Sequence, residues 1–207
     1  MIEQAPVDRR AAARMGRRLE YFTIAWNTLE GAIAVLAGAA AGSISLVGFG
    51  VDSFIEVVSG AALLWRMSVD GDEHQRARVE RIAVRTVAIC FLSLAAYMAY
   101  EAIRDLVTRR APAHSLPGIL LACAALVVMP LLSRAKRRVS ATLRSTAMRG
   151  DAKQADFCAY LSAILLGGLV LNRLWGWWWA DPAAALVMVP IIATEGIEGL
   201  RGDPCCE

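Results

Sequence analysis

The chain has 207 residues, of which 57% are hydrophobic and 20% charged, and its mean hydropathy is +0.47. This composition leaves too little polar surface for an ordinary water-soluble domain, which excludes a TIM barrel or a two-domain soluble enzyme. The net charge of +3 does not indicate nucleic-acid binding, because the basic residues gather at the ends of apolar segments and form no continuous stripe. We therefore expect an all-α, polytopic integral membrane protein.

Six apolar segments are long enough to cross a membrane as helices, since a hydrocarbon core of ~30 Å needs about 20 mostly apolar helical residues. They are Tyr21–Ala40, Ser43–Trp65, Ile82–Ile103, Leu116–Leu132, Ala155–Leu174 and Pro182–Ile197. The first is predicted to be a retained helix and not a signal peptide, because it is long and a second span follows at once. The predicted organisation is a basic N-terminal tail (1–20), a six-helix transmembrane domain (21–200) and a short cysteine-containing tail (201–207).

The basic residues predict that both tails lie in the cytoplasm, because Lys and Arg are retained on that side of the membrane. Three segments are rich in them: the N-terminal tail and the connections after the second and fourth spans. The opposite connections carry few basic residues, and the last of them holds a tryptophan cluster suited to an outer headgroup belt. The cluster comprises Trp175, Trp177, Trp178 and Trp179. We expect the inner (plasma) membrane of a bacterium.

Two acidic residues in the second span are the first candidates for a functional site. Ionisable side chains within a span are costly and are functional candidates by default. Asp52 and Glu56 are four residues apart, which places both carboxylates on one helix face about one turn apart. Two carboxylates this close resist joint ionisation unless a cation lies between them, and a divalent metal ion fits that place. The alternative is a pair of protonated carboxyls that hydrogen-bond to neighbouring helices.

The start of the fifth span carries a second set of metal-capable side chains. Gln154 and Cys158 share a helix face, and Asp151 lies near that face. Asp156 points about 160° away from them and is the weaker candidate. A buried cysteine is often inert packing, but its spacing from Gln154 favours a ligand role for Cys158.

A short internal sequence repeat supports the pairing of these two helices. Gly48, Asp52 and Glu56 recur at the same spacing as Gly150, Gln154 and Cys158. Two related three-helix halves would bring their second helices together, with a site between them near mid-depth. Four ligands from two helices form a tetrahedral site, and two carboxylates with a thiolate favour Zn²⁺ over Mg²⁺ or Ca²⁺.

Four further residues are weaker candidates. Asn27 and Glu30 in the first span face nearly the same direction and line the path or support the metal ligands, although Glu30 equally suits a structural pair with another helix. Cys205 and Cys206 end the chain beside acidic residues and suit capture of a soft ion. Palmitoylation and simple disorder are the alternatives for this tail.

Several segments resemble the cation diffusion facilitator family. Residues 43–60, with Ser-Leu leading into Asp52, Ser53 and Glu56, are similar to that family's second-helix signature. Residues 100–106 and 180–186 look like the end of its third helix and the start of its sixth. The resemblance implies proton-coupled efflux of a divalent metal by six-helix protomers that form homodimers. It also implies metal ligands on the second and fifth helices, and Asp52 and Glu56 carry over directly.

The fifth helix departs from the family's pattern. Gly150-Asp151-Ala152 aligns with the opening of the family's motif, which places Gln154 at its His position and Cys158 at its Asp position. A register that uses Asp156 as the acidic ligand would instead put Ala152 at the His position. The cysteine admits Cd²⁺ or Hg²⁺ beside Zn²⁺. We expect a compact form without the family's soluble C-terminal domain, because only a short tail follows the sixth span, and the resemblance is to a compact branch of the superfamily.

The leading hypothesis is therefore efflux of Zn²⁺, or of a related ion such as Cd²⁺, by proton antiport. Carboxylates and thiolate must lose protons before they bind the ion, which couples the two fluxes. The alternative is a non-transporting membrane protein that binds metal or assists another protein. We do not expect an enzyme, because no nucleophile and base pair or phosphate-binding loop is present. No prosthetic group is expected, and the expected partners are lipid, divalent metal ions, protons and a second copy of the chain.

Overall fold

The computed structural model describes residues 6–68, 73–143 and 146–201. These residues form six α-helices and no strand. The helices are α1 (Pro6–Ala41), α2 (Ile44–Ser68), α3 (Glu73–Thr108), α4 (Leu116–Leu143), α5 (Thr146–Trp175) and α6 (Ala180–Arg201). All six are long and apolar enough to cross a membrane. The prediction of an all-α protein with six transmembrane helices is confirmed.

Most helices extend well beyond the apolar segments that predicted them. α1 begins at Pro6, so most of the predicted basic tail is helical. α5 begins at Thr146, which places Asp151 and Gln154 inside a helix and not in a loop before it. Hydropathy marks only the part of a helix that crosses hydrocarbon, whereas Arg and Lys are good helix formers and continue the helix into the polar layer.

Four helices form a closed ring, and the other two lie beside it. α1 packs on α2 and α4, and α5 packs on the same two helices. α3 and α6 pack on each other; α3 also contacts α2, and α6 contacts both α2 and α5. α2 thus has four neighbouring helices, so its residues at mid-length face protein on most sides. This position explains how α2 keeps several polar side chains away from lipid.

Small residues let α1 and α2 approach closely. A side chain at Gly50 would place its Cβ 2.8 Å from the backbone nitrogen of Val35, and one at Gly38 would lie equally close to the backbone nitrogen of Val47. The two helices are joined by a turn at Gly42, whose φ of +66° favours glycine. Close backbone approach of this kind is typical of helices that associate in membranes.

The start of α2 is fixed by a buried aspartate from α6. Ser43 caps α2 by accepting a hydrogen bond from the Leu46 backbone nitrogen at 3.2 Å. Asp181 in turn accepts hydrogen bonds from the Ser43 hydroxyl at 2.6 Å and from the Ile44 backbone nitrogen at 3.0 Å. The Ser45 hydroxyl also donates to Asp181. These bonds hold one end of α2 in register with α6.

Candidate metal centre

Three buried side chains from α2 and α5 meet where these helices pack. Asp52, Glu56 and Cys158 are each buried, and one potential ligand atom from each lies within 4.8 Å of the other two. Asp52 and Glu56 come from successive turns of α2, and Cys158 faces them from α5. The structure therefore brings together the two carboxylates and the thiol that the sequence singled out.

Several oxygen atoms of this cluster are buried without a protein partner. Within the described part of the chain, both carboxylate oxygens of Asp52 and the Oε1 atom of Glu56 have no hydrogen-bond donor. Burying a polar group without compensation is costly, and a buried charge is normally paired or coordinated. The unpaired atoms and the nearby thiol form a ligand set that a divalent cation would complete.

Two buried residues of α1 form hydrogen bonds with α2 beside the cluster. The Asn27 side-chain amide donates a hydrogen bond to Glu56 Oε2 at 2.5 Å. The Ser53 hydroxyl lies 3.2 Å from Glu30 Oε2 and donates to it. Asn27 thus orients a ligand candidate directly, whereas Glu30 contacts the residue that follows Asp52 along α2. Both are fully or almost fully buried.

Gln154 lies one turn before Cys158 on α5, at the same helix interface. Its Oε1 atom accepts a hydrogen bond from the Ser59 hydroxyl of α2 at 3.2 Å. Its Nε2 atom is buried and has no partner among the described residues. The side chain therefore lies beside the cluster, on the turn of α2 that follows Glu56.

The other two acidic candidates of α5 form ion pairs with α4. Asp151 pairs with Lys136, whose ammonium group also lies 3.4 Å from Glu20 Oε1. Asp156 pairs with the exposed Arg137, on a different side of α5 from Cys158. Of the fifth-helix candidates, Cys158 joins the cluster and Asp151 and Asp156 are engaged elsewhere.

Sequence reasoning missed Glu20 and Lys136. Glu20 belongs to the predicted N-terminal tail (1–20) and Lys136 follows the fourth predicted span, so both lie outside the apolar segments. The only signal in the sequence is spacing: Lys136 follows Leu132 by four residues, so it continues the buried face of α4 if the helix extends.

The remaining candidates, Cys205 and Cys206, lie outside the described residues. Three described cysteines, Cys90, Cys123 and Cys158, are free thiols. Of these, Cys158 is the one that the structure buries completely.

Comparison with known proteins assigns the chain to a family. Residues 22–201 match the cation efflux transmembrane domain. The chain belongs to the cation efflux family. The resemblance to cation diffusion facilitators is confirmed, and the protein is an integral membrane protein of a family of cation transporters. A search of curated proteins finds no match to this chain.

Proposed function

We propose that this cation efflux protein exports Zn²⁺, or a related borderline or soft divalent ion, in exchange for protons. Asp52, Glu56 and Cys158 are the proposed ligands. The observation that carries the proposal is the group of buried, mutually close ligand atoms from α2 and α5, most of whose oxygens lack a hydrogen-bond partner among the described residues.

The ligand set favours Zn²⁺ and Cd²⁺ over harder ions. Thiolate selects borderline and soft metals, whereas Mg²⁺ and Ca²⁺ prefer oxygen ligands alone. Zn–O and Zn–S distances of about 2.0–2.3 Å place tetrahedral ligand atoms roughly 3.3–3.8 Å apart. The ligand atoms of the cluster lie within 4.8 Å of one another, so a contraction of at most about 1–1.5 Å reaches this geometry. The fourth ligand is the Gln154 amide oxygen or a water molecule.

Proton coupling follows from the same side chains. A carboxyl group or thiol must release its proton before it binds the metal, so protons and the cation compete for one site. When the site faces an acidic exterior, protons displace the ion. When it faces the cytoplasm, metal binding expels those protons. Alternating exposure of the site thus produces exchange without a separate proton pathway.

The proposal also covers the orientation of the chain in the membrane and its assembly into a homodimer. The excess of Arg and Lys at the predicted inner segments favours cytoplasmic termini in a bacterial inner membrane. Large apolar side chains such as Leu36, Val107 and Tyr160 are exposed on the outside of the bundle, where they contact lipid or a second copy of the chain. A homodimer is proposed from the family resemblance.

Metal flux in proteoliposomes tests the proposal. The wild-type chain should move Zn²⁺ or Cd²⁺, and an opposing proton gradient should accelerate this movement. Asp52→Asn and Glu56→Gln should abolish flux, because each keeps the shape of the side chain and removes a charge that offsets the cation. Glu101→Gln, which alters a partly exposed acid paired with Arg104, is the matched control and should transport normally.

Three results would contradict parts of this proposal. Wild-type flux from both Asp52→Asn and Glu56→Gln would exclude the site. Flux that ignores proton gradients of either sign would exclude antiport. Metal binding without any flux would instead support the alternative of a non-transporting metal-binding protein.

A further inference from the structure

A second group of buried charges lies near the metal centre. Lys136 of α4 is completely buried, and its ammonium group lies 3.4 Å from Glu20 Oε1 of α1. It also forms an ion pair with Asp151 of α5. We call Glu20, Lys136 and Asp151 the charge triad. Among the described residues, Lys136 is the only buried basic side chain.

The charge triad lies next to the metal centre along the same helices. Gly60 is one turn beyond Glu56 on α2, and a Cβ at Gly60 would lie 3.6 Å from Glu20 Oε2. On α5, Asp151 lies two turns before Cys158.

Polar groups continue between the two clusters. Gln154 of α5 and Ser59 of α2 form a hydrogen bond between the helices, between the level of the metal centre and that of the charge triad. Polar side chains therefore run from Cys158 and Glu56 through this bonded pair to the triad, toward the end of the bundle where α4 ends and α5 begins. Glu20 and Asp151 therefore lie between the metal centre and that end along the helices, and we call this series of polar side chains the route.

We propose that Glu20 and Asp151 form a second cation position on this route, which the Lys136 ammonium group occupies as a tethered cation. This inference rests on the proposed transport function. Like the metal centre, this position has two carboxylates, but here they come from two helices and a positive charge lies between them. While the ammonium group lies between them, it neutralises both carboxylates and repels a second cation. Lys136 thereby limits the protein to one bound ion while its ammonium group lies between the two carboxylates.

The number of ions bound per chain is the first test. The full chain is purified in lipid nanodiscs, loaded with Cd²⁺ and measured by elemental analysis. Lys136→Gln should bind one ion more than wild type, because it frees the two carboxylates. Adding Glu20→Gln to Lys136→Gln should remove the extra ion. Arg137→Gln, which changes the neighbouring exposed basic residue, is the control and should bind as wild type does.

Failure of this inference is distinct from failure of the proposed function. If wild type and Lys136→Gln each bind one ion, the second position does not exist, whereas the metal centre stands. If wild type binds none, the metal centre is wrong, and an ion gained by Lys136→Gln still supports the tethered cation.

A charge-balanced variant covers the case in which Lys136→Gln does not fold. Lys136→Gln with Asp151→Asn removes one charge of each sign and leaves Glu20 free to carry a proton. The measurement is the alkylation rate of Cys158, in a chain whose other cysteines are replaced by serine. Two thiol reagents of similar size are compared, one cationic and one neutral.

The proposed tethered cation predicts that removing Lys136 changes how strongly the alkylation rate of Cys158 depends on the charge of the reagent. The balanced variant should raise the rate with the cationic reagent relative to the neutral one, because no ammonium group repels it. Lys136→Arg should keep the wild-type ratio. If both reagents react faster by the same factor, the charge triad only holds the helices together, and the inference is overturned.

Discussion

Replacing Asn27 tests how strongly α1 controls the metal centre. The Asn27 amide donates a 2.5 Å hydrogen bond to Glu56, whose other oxygen has no donor within the described residues. A hydrogen bond to a charged group contributes about 1.5–3 kcal/mol. Such a loss corresponds to a weakening of metal binding by about 10- to 150-fold. Loss of an outer-shell partner of a metal ligand typically costs about 10- to 100-fold, so we expect Asn27→Leu to weaken Cd²⁺ binding within that range.

The same change should affect folding much less than binding. The Oδ1 atom of Asn27 is buried without a partner in the described structure, so leucine removes an unpaired polar atom together with the donor. These effects partly offset each other in the metal-free protein. The expected result is weaker binding with a nearly unchanged Tm.

Competition for Cd²⁺ against a fluorescent chelator, with the protein in nanodiscs, measures the affinity. Thr28→Val is the matched control, because the exposed Thr28 hydroxyl only bonds the Ile24 carbonyl of its own helix. Wild-type affinity in Asn27→Leu would refute the reasoning. An equal loss of affinity in both variants would show a general effect on α1 and refute it as well.

Two further predictions concern ion choice and helix packing. Cys158→Ser should reduce Cd²⁺ affinity more than Mn²⁺ affinity, and Cys158→Asp should retain Zn²⁺ flux with a shift in preference toward harder ions. An unchanged order of ion preference in Cys158→Ala, together with loss of transport in Asp156→Asn, would contradict both predictions. Gly50→Ala should destabilise the protein by about 1–3 kcal/mol, because its Cβ would meet α1 at 2.8–2.9 Å. A Cβ at residue 150 would have open space around it, so Gly150→Ala should be neutral or stabilising in the same thermal-unfolding assay. Equal Tm values for Gly50→Ala and Gly150→Ala would contradict the packing argument.

The spans and the three clustered side chains could be predicted because their signals are local. A run of about 20 apolar residues predicts a membrane helix whatever surrounds it. Asp52 and Glu56 interrupt such a run, and their spacing alone places them on one face. The family resemblance predicts that further ligands lie on the fifth helix. The structure brings Cys158 to that face, although its role as a ligand stays a prediction.

Glu20 and Lys136 could not be predicted in the same way, because their burial depends on tertiary contacts. Charges beyond the end of an apolar run are usually solvated, and the sequence offers no local reason to read these two differently. They are buried because α1 and α4 continue as helices past their apolar parts and pack side by side. Only the packed ring brings these two side chains and Asp151 together.

The balance of buried charge connects the two clusters. In the described parts of α1, α2, α4 and α5, the buried acids are Glu20, Glu30, Asp52 and Glu56, whereas Lys136 is the single buried base. Lys136 offsets only part of this acidic excess, and it lies with Glu20 and not with Asp52. A buried acid that has neither a base nor enough hydrogen-bond donors carries a proton or binds a cation. Under the proposed function, the buried acids inside the ring of α1, α2, α4 and α5 bind either protons or a divalent ion, and exchange between these two states is the chemistry that antiport requires.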